Sequence, residues 1–246
     1  MATKTSNNKI IPADAPKPDE GGFWVIYGRG GVGKTSSACL ATGALLLDCT
    51  GAGRFQHVDT WRILGPPDLE EALAYLKTPG HPYRVAILDS PDDLYQRSLP
   101  PLKDERAKHK AAQAIILPLF AQFWSLPIHR ILIVNEKRSD REVAVMEEGE
   151  RVRKVLRDIE MNLPPKLNQL VDDRADVIMR AENSGRLDPA TNAPMPTRVR
   201  IRRITDSDIN IQAKTRLDTL TNGMELIHAL HALGVIVESA AQSQAA

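Results

Sequence analysis

Short apolar runs alternate with segments of helical periodicity along most of this chain. Five runs have the length and composition of buried strands: Phe23–Tyr27, Ala44–Asp48, Arg84–Asp89, Arg130–Asn135 and Asp176–Arg180. Alternation of this kind is typical of a mostly parallel sheet that is covered by helices on both faces. The pattern therefore predicts an α/β domain over residues 21–238.

Two helices stand out in the same pattern. One is predicted to open at Asp68, with Glu71 in the register of a capping box and leucines recurring on one face. The other covers Lys103–Trp124 and should be bent or broken at Pro118, because proline lacks the backbone N–H and its ring clashes with the preceding turn.

The C-terminal part of the chain has a different pattern of apolar and polar residues. Arg198–Thr205 and Asp208–Lys214 flank two turn-forming residues and predict an antiparallel hairpin. Leu226–Glu238 would close the domain as a helix or a strand. Residues 1–20 and 239–246 are polar or rich in small residues and are expected to be a flexible leader and tail.

Composition narrows the class of protein. The chain has 246 residues, 42% of them apolar, which is enough for one large domain with a buried sheet. The formal charge of +1 gives no general attraction to nucleic acid, so a polyanion site must be a local basic patch. Two cysteines without metal-ligand spacing, no signal-like start and no membrane-length apolar run lead us to expect a cytoplasmic protein without a membrane partner.

A glycine-rich segment carries the most specific chemistry. Gly28–Thr35 fits G-x-x-x-x-G-K-[ST] at every fixed position, between an apolar run and a helix-compatible run. Its backbone N–H groups would surround phosphates, Lys34 would reach the β- and γ-phosphates, and the Thr35 hydroxyl would bind Mg²⁺. The predicted ATP-binding residues are Gly28, Arg29, Gly30, Gly31, Val32, Gly33, Lys34, Thr35 and Ser36.

A second element of a triphosphate site follows further along the chain. The run Arg84–Asp89 is hydrophobic and ends in a carboxylate. Asp89 would hold Mg²⁺ through water, opposite Thr35. The alternative is an ordinary buried strand with a capping aspartate.

These motifs resemble two families of phosphate-loop proteins. The loop resembles that of the partitioning ATPases, but Arg29 stands where they have a lysine, and only thirteen residues separate Lys34 from Asp48. The order of "LLLDCTGAG", "VAILDSPDDLY", "ILIVNEKR" and "IQAKTRLDTL" is similar to that of phage single-domain RecA-like proteins, including the Sak-type single-strand-annealing proteins. This second resemblance covers roughly residues 22–220.

The RecA-like resemblance implies further site residues. The strand that contains Ile131–Val134 would lie between the phosphate-loop strand and the Asp89 strand, bringing Asn135 and Glu136 close to the γ-phosphate. Lys214 and Arg216 resemble the family's Lys-x-Arg element, which reaches a neighbouring subunit's triphosphate. This implies a homo-oligomer with nucleotide at its subunit interfaces. The alternatives are a polar strand end and two solvated charges on an edge strand.

One position departs from the family pattern. Where the relatives carry a glutamate that activates the attacking water, this chain has Thr50. A threonine hydroxyl cannot act as a general base near neutral pH. Either Glu136 or Asp48 substitutes, or hydrolysis is slow and the nucleotide acts mainly as a switch.

Two basic stretches suggest a partner. The first surrounds an acidic patch, and the second alternates with apolar residues so that its arginines share one face of the predicted hairpin. Either could bind the backbone of single-stranded DNA in a salt-sensitive way, or be a solvated face or an ion-pair network. The stretches are Lys137, Arg138, Arg141, Arg151, Arg153, Lys154 and Arg157, and then Arg198, Arg200 and Arg202.

The combined expectation is an ATP-binding, slowly hydrolysing RecA-like protein that acts on single-stranded DNA in phage-type recombination or annealing, in the cytoplasm of the host cell. Two alternatives remain: a partitioning-type dimeric ATPase that switches a protein partner, and a nucleotide-binding regulator with little turnover.

Overall fold

The computed structural model describes residues 21–147, 150–183, 189–192, 195–205 and 209–235. The predicted leader and tail lie outside the described residues. The strands are β1 Phe23–Gly28, β2 Ala44–Asp48, β3 Asp59–Arg62, β4 Val85–Asp89, β5 His129–Glu147, β6 Glu150–Met161, β7 Val177–Glu182, β8 Arg198–Arg200, β9 Ile204–Thr205, β10 Ile209–Ile211 and β11 Lys214–Thr215. The α-helices are α1 Lys34–Ala38, α2 Pro66–Lys77, α3 Pro91–Arg97, α4 Glu105–Trp124, α5 Pro165–Arg174 and α6 Leu226–Ala232, with a short 3₁₀ helix at Ala52–Phe55.

The centre of the molecule is a mostly parallel sheet with the strand order β11-β7-β1-β5-β4-β2-β3. Strands β7, β1, β5, β4, β2 and β3 run parallel to their neighbours, and β11 and β8 pair with β7 in the antiparallel direction. The α/β prediction is confirmed at this level. Each of the five predicted strands is present, although the fourth extends well beyond its predicted end.

Helices cover both faces of this sheet, as the sequence predicted. Along β1, Val25 and Tyr27 pack into a core that includes buried residues of α2, α4 and α5. Trp24 and Ile26 point the other way, into a core that includes residues of α1 and α6. Because both faces of the strand are buried, its sequence is a continuous apolar run instead of an alternating one.

The two helix predictions need correction at specific residues. Helix α2 begins at Pro66 with Gly65 as its cap, so Asp68 does not open it. The Asp68 carboxylate instead accepts backbone N–H bonds from Leu64 (2.7 Å) and Gly65 (3.0 Å), the role of an acid in the first turn. Helix α4 begins at Glu105 and continues through Pro118, so of the two expectations for this proline, a bend or a break, the break is wrong.

The largest departure from the sequence prediction lies after Asn135. Strand β5 does not end there but runs on to Glu147, and its outer part pairs with β6 from Glu136↔Met161 to Glu147↔Glu150. We call this antiparallel pair, residues 136–147 and 150–161, the ribbon. The first basic stretch, Lys137–Arg157, therefore lies on two paired strands. Charged residues occupy both faces of the ribbon, so no apolar alternation revealed it.

The predicted C-terminal hairpin is divided between two sheets. β9 and β10 pair antiparallel, with Asn210 opposite Thr205, so a hairpin exists there. β8, however, belongs to the main sheet beside β7, and β10 also pairs in parallel with β6. Leu226–Ala232 is helical, which decides between the two predictions for that segment. Among the described residues, none of the helices combines the length and apolarity needed to cross a membrane.

Candidate nucleotide-binding site

The glycine-rich segment forms a tight turn between β1 and α1. A Cβ atom at Gly28 would lie 2.6 Å from the carbonyl oxygen of Ala181 on β7, so the strands could not pack so closely with any other residue there. Gly33, which caps α1, has φ of 85°, a left-handed conformation that favours glycine. The loop geometry therefore requires the residues that define the motif.

Lys34 is buried at the mouth of this loop. Its ammonium group donates hydrogen bonds to the carbonyl oxygens of Gly28 (2.9 Å) and Arg29 (2.8 Å). Burial lowers the pKa of Lys34, and the negative charges of Asp89, Asp92 and Glu136 partly oppose this. The ammonium is thus already inside the loop, where a bound phosphate would meet it.

Thr35 and Asp89, the two residues predicted to bind Mg²⁺, are in direct contact. The Thr35 hydroxyl donates a 2.6 Å hydrogen bond to Asp89 Oδ2, although β4 and β1 are separated in the sheet by β5. Burial raises the pKa of Asp89 to about 6, against the lowering effects of Thr35 and Lys34. These two oxygen donors could bind a hydrated divalent cation, which prefers such ligands.

Asn135 faces a carboxylate that the sequence reasoning missed. Its side-chain amide donates a 3.0 Å hydrogen bond to Oδ2 of Asp92, in the first turn of α3. Asp92 is only 9% exposed, and its Oδ1 has no hydrogen-bond partner among the described residues. A buried, unpartnered carboxylate oxygen is costly unless water or a ligand binds it. The only sequence signal was its position three residues after Asp89.

Glu136 is held by arginines. Its carboxylate, 4% exposed, contacts Arg29 (3.3 Å), Arg138 (2.7 Å) and Arg180 (3.0 Å). Burial would raise the pKa of Glu136, but the charges and hydrogen bonds of Arg180 and Arg138 outweigh it and hold that pKa below its usual range. A carboxylate in this setting is a weak proton acceptor, which disfavours Glu136 as the water-activating base.

Asp48, the other carboxylate considered as a base, is also engaged. It accepts backbone N–H bonds from Thr50 (2.9 Å), Gly51 (2.7 Å) and Gly53 (3.1 Å), and it pairs with Arg62 at 3.0 Å. Burial would raise its pKa, but these partners hold the pKa of Asp48 below its ordinary value. The hydroxyl of Thr50 donates to the same carboxylate at 3.1 Å. Asp48 thus stabilises the turn that presents Thr50.

A depression of about 460 Å³ opens beside the glycine-rich loop, on the β7 side. Four arginines line it, together with Glu182, which binds Arg180 and also Arg200 at 3.2 Å. We call it the arginine cavity; its charged lining residues are Arg29, Arg138, Arg180, Arg198 and Glu182. The floor of this cavity lies at β7, three strands away from β4 in the sheet. It is therefore about 14 Å from β4, the strand that ends in Asp89.

The outer part of the predicted basic surface is mostly ion-paired. On the ribbon, cross-strand pairs join Lys137 to Glu160, Arg141 to Asp158, Arg153 to Glu142 and Arg157 to Asp140, at 3.8, 2.7, 3.4 and 2.9 Å. The predicted row of arginines is also divided, because Arg198 and Arg200 lie on β8 whereas Arg202 follows it. The cations that face the phosphate loop are therefore those of the arginine cavity.

Lys214 and Arg216 lie away from this chain's own phosphate loop. The Lys214 ammonium donates to the carbonyl oxygen of Asp172, and Arg216 bonds that of Asp173 (3.3 Å) and contacts the Asp176 carboxylate (3.5 Å). Both contact the end of α5 and the start of β7, about 13 Å along the strand from the end that faces the loop. The structure does not bring them to the site within one subunit.

An aromatic side chain near the loop also escaped the sequence reasoning. Phe55, 71% exposed, ends the 3₁₀ helix, with the Arg54 guanidinium 4.5 Å from its ring centroid. The next residue, Gln56, reaches the Ser36 hydroxyl in α1 at 3.5 Å. An exposed ring beside the phosphate-loop helix could stack on a nucleobase.

Comparison with known proteins adds no assignment. No protein-family model matches the chain, and no curated protein matches it significantly. The chemistry of the site is therefore the basis for assigning a function.

The raised pKa of Asp89 makes a prediction about the metal-free protein. Because the folded state holds the proton more tightly than the unfolded state, this group lowers stability as pH rises from about 4 through 6. Asp89→Asn should therefore be more stable than wild type at pH 8, by up to about 2 kcal/mol, with a smaller difference at pH 5. Urea denaturation with a chelator present measures this. Glu71→Gln, on the exposed face of α2, is the control, and equal pH dependence of Asp89→Asn and wild type would contradict the prediction.

Proposed function

We propose that this chain is a P-loop nucleoside triphosphatase with a RecA-like arrangement, which binds ATP with Mg²⁺ and hydrolyses it slowly. The observation that carries the proposal is the Thr35–Asp89 hydrogen bond beside the buried ammonium of Lys34. One hydroxyl, one carboxylate and one ammonium around a glycine turn are the groups that a metal-bound triphosphate needs.

Strand order supports the RecA-like part of the proposal. The resemblance implied a later strand between the phosphate-loop strand and the Asp89 strand, and β5 lies between β1 and β4. Asn135 extends the core part of β5, with Asp92 as its hydrogen-bond partner. This order puts the polar end of β5 between the metal and phosphate elements.

Asp92 is the best-supported carboxylate for the attacking water. Glu136 and Asp48 are occupied by cations and N–H donors, whereas Oδ1 of Asp92 has no partner among the described side chains and backbone groups. In the proposed step the water oxygen bonds to the γ-phosphorus, its proton passes to Asp92, and the bond to the leaving ADP oxygen breaks. Asp92 then acts without the glutamate that the resemblance places at the position of Thr50, so turnover stays slow.

Self-association belongs to the same proposal. Lys214 and Arg216 would complete the nucleotide site of a neighbouring subunit, which is supported by their position at the exposed β11 edge, remote from their own loop. Neutralising the charge that develops on the γ-phosphate is the usual role of such cations.

The binding step can be tested with two polyphosphate ligands. Lys34→Ala should no longer bind either a non-hydrolysable ATP analogue or inorganic triphosphate, because it removes the positive charge that contacts the phosphates. Phe55→Ala should weaken binding of the ATP analogue by about tenfold and leave the affinity for inorganic triphosphate unchanged, since only the nucleobase can stack on the ring. Titration calorimetry with Mg²⁺ measures both. Tyr75→Ala, an exposed aromatic on α2, is the matched control, and full analogue affinity of Lys34→Ala would overturn the proposal.

The hydrolysis step makes opposite predictions at two positions. Thr50→Glu should raise the rate of phosphate release by about tenfold or more, because it adds a carboxylate base, whereas Thr50→Gln should not. Asp92→Asn should lower the residual wild-type rate by a similar factor without changing analogue binding. Fast hydrolysis by the wild-type protein, at a rate that Asp92→Asn does not change, would contradict the assignment of Asp92 as the base.

Single-stranded DNA is the proposed partner, in phage-type recombination or annealing in the cytoplasm of the host. The supporting observation is the arginine cavity, where four guanidinium groups border the phosphate loop with fewer carboxylates than cations. Guanidinium groups suit phosphate oxygens. In the cavity Arg29, Arg138 and Arg180 share the carboxylate of Glu136, so cations remain in excess. The ribbon is the weaker candidate, because its cation–carboxylate pairs are one to one.

Salt dependence separates these two surfaces. Arg198→Ala should reduce the slope of log affinity for oligo-dT against log salt by about 0.7, the value expected for one lost phosphate contact on a single strand. Arg153→Ala should leave the slope unchanged, because this ribbon arginine already pairs with Glu142. Fluorescence anisotropy at several salt concentrations measures the slope. Affinity that does not respond to salt would rule out binding through phosphates.

A further inference from the structure

Among the described residues, no second strand pairs with the ribbon along its β5 edge, which we call the open edge. The outer edge of β6 is likewise unpaired from Glu150 to Leu156. In the core, β5 is flanked by β1 as far as Asn135 and by β4 as far as Ile133. From Glu136 to Glu147 its one partner strand in the described part of the chain is β6. Along the other edge, every second residue directs its N–H and C=O groups away from β6, which leaves a template for another strand.

The outer ribbon also lacks the support that such a structure usually needs. β10 joins β6 at Arg157–Ile159, so the seven pairs from Arg141↔Leu156 to Glu147↔Glu150 stand as two strands over about 24 Å. Met146 and Val155 are 69% and 57% exposed there. Isolated two-stranded ribbons are only marginally stable in water, so a further strand would stabilise this one.

Charge argues against a polyanion as the occupant of this edge. Residues 137–160 contain seven lysines and arginines and seven aspartates and glutamates, so the ribbon has no net charge. Four cross-strand ion pairs already satisfy many of these groups. A neutral β edge with exposed apolar side chains fits another β strand better than a nucleic-acid backbone.

The sequence of the β5 edge is complementary to itself. It reads Arg-Glu-Val-Ala-Val-Met-Glu from Arg141 to Glu147. Antiparallel pairing of two copies about Ala144 sets Arg141 opposite Glu147 twice and Val143 opposite the partner's Val145 twice. Moving the axis to residue 143 or 145 would instead place a valine opposite one of the two charges. Opposite charges and β-branched residues are the favourable cross-strand pairs.

We propose that two copies of this chain associate through the open edge of β5, around a two-fold axis at Ala144, and form one four-stranded sheet from two ribbons. Ala144 lies nine residues beyond Asn135, or about 30 Å, so the two domains remain apart. The contact does not involve the phosphate loop and is independent of the proposed nucleotide function. It is small, below about 1,200 Å², which predicts a weak dimer.

Charge reversal tests the register. Sedimentation velocity over a concentration series, up to about 200 µM, should give a dimer of wild type. Glu147→Arg and Arg141→Glu should each weaken it at least about tenfold, because attraction becomes repulsion at two symmetric pairs. The double variant Arg141→Glu/Glu147→Arg should recover most of the association, but not all of it, because Arg141→Glu also breaks the pair of Arg141 with Asp158. Arg153→Glu, an equal charge change on β6 away from the open edge, is the matched control.

Circular dichroism establishes that each variant is folded before its association is compared. Loss of the dimer in both single variants and its return in the double variant would support this register. A wild type that stays monomeric, a dimer that ignores the single reversals, or a double variant that stays dissociated would each overturn the proposal.

Discussion

The hydrogen bond from Thr35 to Asp89 is the interaction on which the candidate site depends. It joins the first turn after the glycine loop to the end of a strand two positions away in the sheet, so it forms only when β5 separates β1 from β4 by the right width. Those strands are held in place by apolar cores on both faces. The packing of the sheet therefore fixes the distance between the two predicted metal ligands.

Burial then divides the charged groups of the site by role. The carboxylates of Glu136 and Asp48 are surrounded by cations and N–H donors and stay ionised. Glu136 thereby anchors the start of the ribbon, and Asp48 anchors the turn that contains Thr50. Asp89 is buried with fewer compensating donors, so its negative charge is costly and its pKa is raised. Oδ1 of Asp92 finds no hydrogen-bond partner in the described part of the chain. These carboxylates thus differ in pKa and in hydrogen bonding because their surroundings differ.

Arg29 connects the two surfaces that the proposals use. It belongs to the glycine-rich loop, yet its side chain pairs with Glu136, where the ribbon begins, and it lines the arginine cavity. Glu136 in turn contacts Arg138 and Arg180, so loop, ribbon and β7 share one ion-pair network. Members of such a network affect one another's interactions. An anion that draws Arg29 away from Glu136 would therefore also change the contacts of Glu136 at the start of the ribbon.

The sequence alone determined the buried strands and the glycine loop, because continuous apolar runs and a phosphate motif are local patterns. It also suggested Thr35 and Asp89 as partners, but only the sheet brings them into contact. It did not reveal the ribbon, whose strands are polar on both faces, nor the continuity of α4 through Pro118. It could not identify Asp92 or Phe55, since neither belongs to a motif. Only tertiary structure decided which carboxylates are neutralised and where Lys214 and Arg216 lie, because hydrogen bonds and burial between distant segments have no signature in one segment's sequence.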